Sequence, residues 1–296
     1  MTDLVTDQNA VRRYLCDDVP DARLITVRLG RTKDEMLDHQ NMPGILKSLC
    51  EELVAATCVL SHMLKFDGEI IVQIKGSGPV TMIVAECSSE GRIRSTAQWD
   101  NLTEAASFRE LLGTGYLAVT IDPKQGERYQ GIVPLESDSI EECINHYFEN
   151  SEQLDTKLWL SSGEKSVGGL LIQRVPEEGG RAFLEDSNWQ TLATLADTIT
   201  KKELSSEAGP LLIYKLFHEL NPRGLDPWEI HFGCSCSRER SARAIRALGE
   251  KEVKQLFLER PSLQVDCHFC GQVYQYDHAD LEWLLSDQPP GSDTLQ

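Results

Sequence analysis

Apolar residues recur in two rhythms along this chain, and the switches between them mark its elements. Residues 22–30 (ARLITVRLG) read as a first strand. From Pro43 to Phe66 apolar positions return every three or four residues, through Ile45, Leu49, Leu53, Ala56, Leu60, Met63 and Leu64. That period predicts a helix, and Asp67-Gly68 supplies the turn that ends it. The segments EIIVQIK, VTMIVAEC and RIRSTAQW follow, separated by GSGP and SSEG turns. Short strands joined by Gly-containing turns predict antiparallel pairing. A short helix is predicted around Glu104–Leu112, then strands YLAVTID and RYQGIVP. Asp138 with Glu141, and Ser139 with Glu142, both have the spacing of a capping box opening a helix to about Asn150. Strands TKLWLS and GGLLIQRV complete the region.

The character changes at Pro176–Gly180. Residues from about 186 to 220 read as helical, with apolar faces supplied by Trp189, Leu192, Leu195 and Ile199, then by Leu211, Leu212, Tyr214, Leu216 and Phe217. Asn221–Pro227 breaks this pattern and feeds a short strand, WEIHF. Runs of antiparallel strands with helices between them indicate an α+β fold rather than strict βαβ alternation. The expected organisation is an N-terminal α+β domain (1–178), a helical linker region (179–231), a small C-terminal domain (232–285) and a disordered polar tail (286–296).

Charge narrows the function. The 296 residues carry a net charge of −18, which argues against wholesale binding to nucleic acid or anionic membranes. No stretch approaches the ~18 apolar residues of a membrane span. The N-terminus lacks the basic start and apolar run of a secretory signal, so a cytoplasmic protein is expected. In that reducing compartment nine cysteines are not expected to form a static disulfide framework.

Four of them fall in two tight pairs, Cys234/Cys236 and Cys267/Cys270, a C-x-C and a C-x-x-C motif separated by thirty residues. Two such pairs brought together offer four soft thiolates, the set tetrahedral zinc prefers, so one zinc per chain is expected. Gly271 directly after Cys270 permits the positive φ of a tight metal-binding turn. Arg238, Arg240, Arg243 and Arg246 follow the first pair on a predicted helix, where their field would favour thiolate. His268 lies inside the second pair and is expected to face solvent. A four-cysteine shell leaves no position for water or substrate, which points to structural zinc. The second reading is a redox switch: sulfurs about 3.7 Å apart around zinc need approach only to about 2.05 Å to become a disulfide. A third reading is a nucleic-acid-binding zinc module using the arginines at 238–246. Against it, Phe232 onward holds seven Lys/Arg and ten Asp/Glu.

The other cysteines, Cys16, Cys50, Cys58, Cys87 and Cys143, sit among apolar neighbours and read as small core residues. Gly113–Ala118 imitates a dinucleotide fingerprint but follows a helix and opens a strand, the reverse of the required order. The IKGSGPV turn lacks the Lys-Ser/Thr ending of a phosphate loop.

The segments FGCSCSRERSARAIRALGEKEV and VDCHFCGQVYQYDHADLEWLL resemble the bacterial redox-regulated heat-shock chaperonin family, the 33 kDa chaperonins. IKGSGPVTMIVAE, LLGTGYLAVTID, YQGIVPLESDSIEECINHYFENSEQLDTKLWL and GGLLIQRVP extend the resemblance over most of the chain, least so at about 180–231. The resemblance implies a chaperone and no enzyme. Cys234, Cys236, Cys267 and Cys270 would bind zinc when reduced, and oxidation would join Cys234 to Cys236 and Cys267 to Cys270. Family members then lose zinc, unfold the C-terminal unit, destabilise the linker and hold unfolding client proteins without ATP, commonly as homodimers. Leu192, Leu195, Leu212 and Phe217 are the candidate client contacts.

Overall fold

The computed structural model describes residues 8–64, 66–100, 102, 107–152, 154–175 and 186–285. Two compact units meet in the chain between Gly233 and Cys234. The first opens with β1 (Asn9–Cys16), β2 (Ala22–Leu29), α1 (Arg31–Leu37) and α2 (Gly44–Met63). A meander of β3 (Gly68–Gly76), β4 (Val80–Ser88) and β5 (Arg92–Trp99) leads through α3 (Phe108–Leu112) to β6 (Gly115–Pro123) and β7 (Tyr129–Pro134). After α4 (Ile140–Tyr147) come β8 (Thr156–Ser162) and β9 (Val167–Arg174). Three helices follow: α5 (Asp186–Ala196), α6 (Lys201–Ser206) and α7 (Gly209–Phe217). The unit ends on three very short strands, β10 (Pro222–Gly224), β11 (Trp228–Glu229) and β12 (His231–Phe232). This is the expected α+β architecture.

One sheet has the order β10-β1-β2-β9-β8, with β11 also on β1, and the other β12-β5-β4-β3-β6-β7. The sequence reading missed β1, whose Arg12-Arg13 interrupts the apolar alternation. It also read WEIHF as one strand, whereas Trp228 pairs with Val11 in the first sheet and Phe232 pairs with Ile93 in the second. That last pairing is parallel; the other described pairs, the predicted meander among them, are antiparallel.

Helix α2 is the centre of the main core. From Leu53 to Ser61 every residue is buried, and the helix contacts strands of both sheets. Burial all round is what a helix inside the fold requires, and it replaces the one-faced packing its period suggested. The helix stops at Met63, leaving Leu64 exposed. Cys50, Cys58, Cys87 and Cys143 belong to this core, and Cys16 to a second one. Burial first, with nearby carboxylates second, pushes the Cys16 thiol up to about 11. Burial likewise pushes Cys50 up to about 12 and Cys143 up to about 11. These thiols stay neutral and packed, as expected.

The predicted helix around Glu104–Leu112 begins at Phe108, where Ser107 and Glu110 form a capping box; Glu104, Ala105 and Ala106 lie outside the described residues. At α4 the cap is Ser139, whose side chain accepts from the Glu142 N–H; Asp138 instead donates its own N–H to the Glu142 carboxylate. The two glycine-containing stretches set aside as a dinucleotide fingerprint and a phosphate loop pack on one another. A Cβ on Gly78 would come within 2.5 Å of the Leu111 carbonyl oxygen, and one on Gly115 within 1.9 Å of that of Lys75.

Helices α5 to α7 cover the outer face of the first sheet. Leu192, Leu212 and Phe217 are at most 3 % exposed and share a core with Tyr14, Leu24, Leu170 and Ile172. Leu195 is half-buried against the same cluster. Thr200 caps α6 through a capping box with Glu203. The tail from 286 lies outside the described residues, as do 176–185.

The second unit consists of α8 (Arg238–Arg246), α9 (Glu250–Glu259), the hairpin β13 (Ser262–Asp266) and β14 (Val273–Asp277), and α10 (Leu281–Leu285). Its core among the described residues is small: Ala242, Ile245, Val253, Phe257, Leu263, Tyr276 and Leu284. Alternation along β14 turns Tyr274 and Tyr276 to one face, opposite Val265 and Leu263 of β13.

Candidate metal centre

Each cysteine pair is held by a local device that the sequence encodes. Cys234 and Cys236 lie in the extended run ahead of α8. Ser237 caps that helix, its Oγ accepting from the Arg240 N–H at 3.1 Å. The positive end of the helix dipole therefore lies beside Cys236 and favours negative charge there. The second pair occupies the loop joining β13 to β14. The Cys267 N–H donates to the Gln272 carbonyl at 2.9 Å and the Gly271 N–H to the Cys267 carbonyl at 2.8 Å. Gly271 closes this turn with φ 69°, as its place after Cys270 predicts.

The hairpin then carries the second pair to the first. The four sulfurs all lie within 4.8 Å of one another. Cys234 Sγ is 3.7 Å from Cys267 Sγ, and Cys236 Sγ is 3.4 Å from Cys270 Sγ. Four ligands at about 2.3 Å from a central ion stand roughly 3.7 Å apart, so the cage has the size and softness for one tetrahedral metal ion. It is the one cluster of this kind among the described residues. All four cysteines are half-buried, while His268 is exposed and takes no part.

Hydrogen-bond donors surround the sulfurs. Backbone N–H groups of Phe269 and Cys270 reach Cys267, and that of Gln272 reaches Cys270. The Tyr274 hydroxyl donates to Cys236 Sγ at 3.1 Å. Burial still holds the Cys267 and Cys270 thiols above the ordinary range, with contact from neighbouring sulfurs adding to it at Cys270, so a metal must displace protons to bind.

The family model described as Hsp33 protein matches residues 10–277, a span containing all four cysteines and most of both units. The chain belongs to the Hsp33 family. A 33 kDa chaperonin of Neisseria meningitidis serogroup A is 39% identical over 283 residues, covering 94% of this chain and 92% of that protein. One from Azotobacter vinelandii is 38% identical over 292 residues, covering 97% and 98%. The crystal structure of the 33 kDa chaperonin (heat shock protein 33 homologue) of Thermotoga maritima superposes with a TM-score of 0.78 at 23% identity, covering 94% of this chain and 98% of that one; it shows the shared fold. These relatives are named as chaperonins, not as enzymes. The family suggested by the cysteine motifs is thereby established.

Within this Hsp33 member three of the four arginines of α8 serve the unit's own structure. Arg238 lies over Tyr276 with its guanidinium carbon 4.5 Å from the ring centre, and donates to the Gln275 carbonyl at 2.6 Å and to Asp280 at 2.7 Å. Arg246 stacks on Trp283 and donates to the carbonyls of Trp283 and Leu284, satisfying the end of α10. Arg240 donates to Ser235 Oγ, and Arg243 is exposed. Sequence reasoning gave all four one electrostatic role and overlooked Ser237, Tyr274 and Trp283. The alternation in QVYQY was the available signal for Tyr274, since it puts both tyrosines on the face that the cysteines adjoin. Leu192, Leu195, Leu212 and Phe217 belong to the first unit and are not part of the metal centre.

Proposed function

We propose that this Hsp33 family member is a cytoplasmic, ATP-independent holdase, kept inactive by one zinc ion on Cys234, Cys236, Cys267 and Cys270 and activated when those cysteines are oxidised. The observation that carries the reading is the complete four-sulfur cage set in a unit with a very small core. Bound zinc would supply charge neutralisation and folding free energy, roughly 10–16 kcal/mol in small zinc peptides. A core of this size provides only a few kcal/mol by itself. Residues 232–285 would thus fold with the metal and unfold without it.

The switch is a pair of two-electron oxidations. In each local pair one thiolate attacks a peroxide oxygen, giving a sulfenic acid and hydroxide. The second thiolate then displaces hydroxide to form the disulfide. Two peroxides are reduced to four hydroxides, four thiolates become two disulfides, and the cation leaves for want of ligands.

Release then passes along the chain into the linker region, 179–231. Cys234 follows β12 after a single residue, and β10 to β12 contain only three, two and two residues. Such short ladders are among the first structures to open. Loss of β10 would strip α7 of its contact with that strand and loosen the helical layer. Leu192, Leu195, Leu212 and Phe217 would then be available to unfolding clients, while the N-terminal domain (1–178) persists on its own core. A homodimer would present two such surfaces. The nucleic-acid reading gains no support, because three of the four arginines are already engaged and the chain is strongly acidic.

Zinc content and light scattering of an aggregating client, measured before and after peroxide under mild unfolding stress, test the proposal. Reduced protein should carry one zinc and suppress aggregation poorly; oxidised protein should carry none and suppress it well. Zinc-free reduced protein, or activity indifferent to oxidation, would contradict the reading.

A further inference from the structure

The sulfurs of the cage differ in who donates to them. Those of Cys267 and Cys270 receive N–H groups of their own loop, donors fixed by the backbone. Cys236 receives a side-chain hydroxyl, that of Tyr274, at 3.1 Å, from a strand thirty-eight positions further along. Tyr274 is placed by the hairpin register, facing Val265 across the ladder. Its neighbour on the same face, Tyr276, is fully buried and spends its hydroxyl elsewhere, on Ser241 Oγ and, at 2.7 Å, on the Arg238 carbonyl. One tyrosine therefore serves the core and the other reaches a sulfur.

We propose that Tyr274 is a positioning residue of the thiol site, whose hydroxyl restrains the nucleophilicity of Cys236 and fixes where its sulfur points. A lone pair engaged by an O–H donor is less available to an electrophile, and the ordered C–O–H···S contact limits the directions from which peroxide can approach. The inference rests on the thiol-switch reading and adds to it a side chain that sets how readily the first pair reacts.

The test compares reduced full-length wild type with Tyr274→Phe and Tyr276→Phe. Each is treated briefly with iodoacetamide, and alkylation of Cys236 and Cys267 is quantified by mass spectrometry of the peptides. The readout is the ratio of the two rates within one molecule. Tyr274→Phe should raise the Cys236:Cys267 ratio by about two- to tenfold, the range expected for one hydrogen bond. Tyr276→Phe, which loosens the same hairpin without removing a donor to sulfur, should leave the ratio near wild type. An unchanged ratio in Tyr274→Phe, or an equal rise in both variants, would overturn the proposal. Zinc content of the wild-type sample is measured in parallel, and its absence would count against the zinc reading alone, because the alkylation ratio is scored separately.

Discussion

The sulfur of Cys236 lies 3.4 Å from that of Cys270, although thirty-four positions separate them. Cys234 Sγ and Cys267 Sγ also meet across the two pairs, and Cys267 contacts Cys270 within its own pair. Oxidation within the folded unit would therefore give links across the hairpin beside local ones. An unfolded unit favours the local links, because closing a loop of thirty-odd residues costs roughly 2 kcal/mol more than closing one of two or three. The disulfide map thus reports whether the unit was open when the bonds formed. Peptide mapping after peroxide with mild heating should find Cys234–Cys236 and Cys267–Cys270. A map dominated by Cys236–Cys270 would mean oxidation without unfolding.

Zinc retention should depend steeply on pH. Burial favours the neutral thiols of Cys267 and Cys270, raising both above the ordinary range, and adjoining sulfurs add to this at Cys270, so protons compete with the metal. The sign follows: apparent affinity falls as pH falls and rises through neutrality towards alkaline pH, with thiol protons released on binding. Competition with a chelator of known affinity at pH 6 and pH 8 should show at least about a tenfold difference. A flat profile would be incompatible with four thiolate ligands.

The five core cysteines should be dispensable for switching. Replacing Cys16, Cys50, Cys58, Cys87 and Cys143 by Ala or Val removes buried volume, costing about 1 kcal/mol per site. Zinc binding and peroxide activation should survive wherever the protein still folds. A folded, zinc-bound variant that no longer activates would relocate the switch.

Loosening the cover of the first sheet should mimic oxidation. Phe217 is 1 % exposed and packs α7 against the sheet. Phe217→Ala should cost the helical layer about 3–5 kcal/mol. Reduced, zinc-loaded protein carrying it should already suppress aggregation of a light-scattering client, though less than oxidised wild type. No gain in the reduced state, despite a lowered unfolding midpoint, would show that exposure of this layer is not what activates.

Much of this was legible in the sequence, for physical reasons that differ by element. The meander was readable because its strands alternate and its turns contain glycine, and the four-sulfur cage because two close cysteine pairs need only one hairpin to meet. β1 was hidden by Arg12-Arg13, whose aliphatic stems are half-buried while their charge reads as surface. The division of WEIHF between two sheets depends on Ile230, buried at the crossing, and on strands that only tertiary pairing stabilises. The hydroxyl of Tyr274 could be assigned only after the hairpin register was known. Charge clustering misled at α8, where Arg238 and Arg246 face aromatic rings and carbonyls instead of presenting a common field.

The proposed switch turns on one coupling, between the sulfur cage and the helical layer over the first sheet. Hydrogen exchange on the reduced, zinc-bound and the oxidised, zinc-free protein measures it directly. Residues 234–285 and 186–220 should both lose protection on oxidation, while α2 and the central strands β3, β4 and β6 keep theirs. Equal protection of 186–285 in the two states, with unchanged client binding, would contradict the switch and leave a structural metal site as the better description.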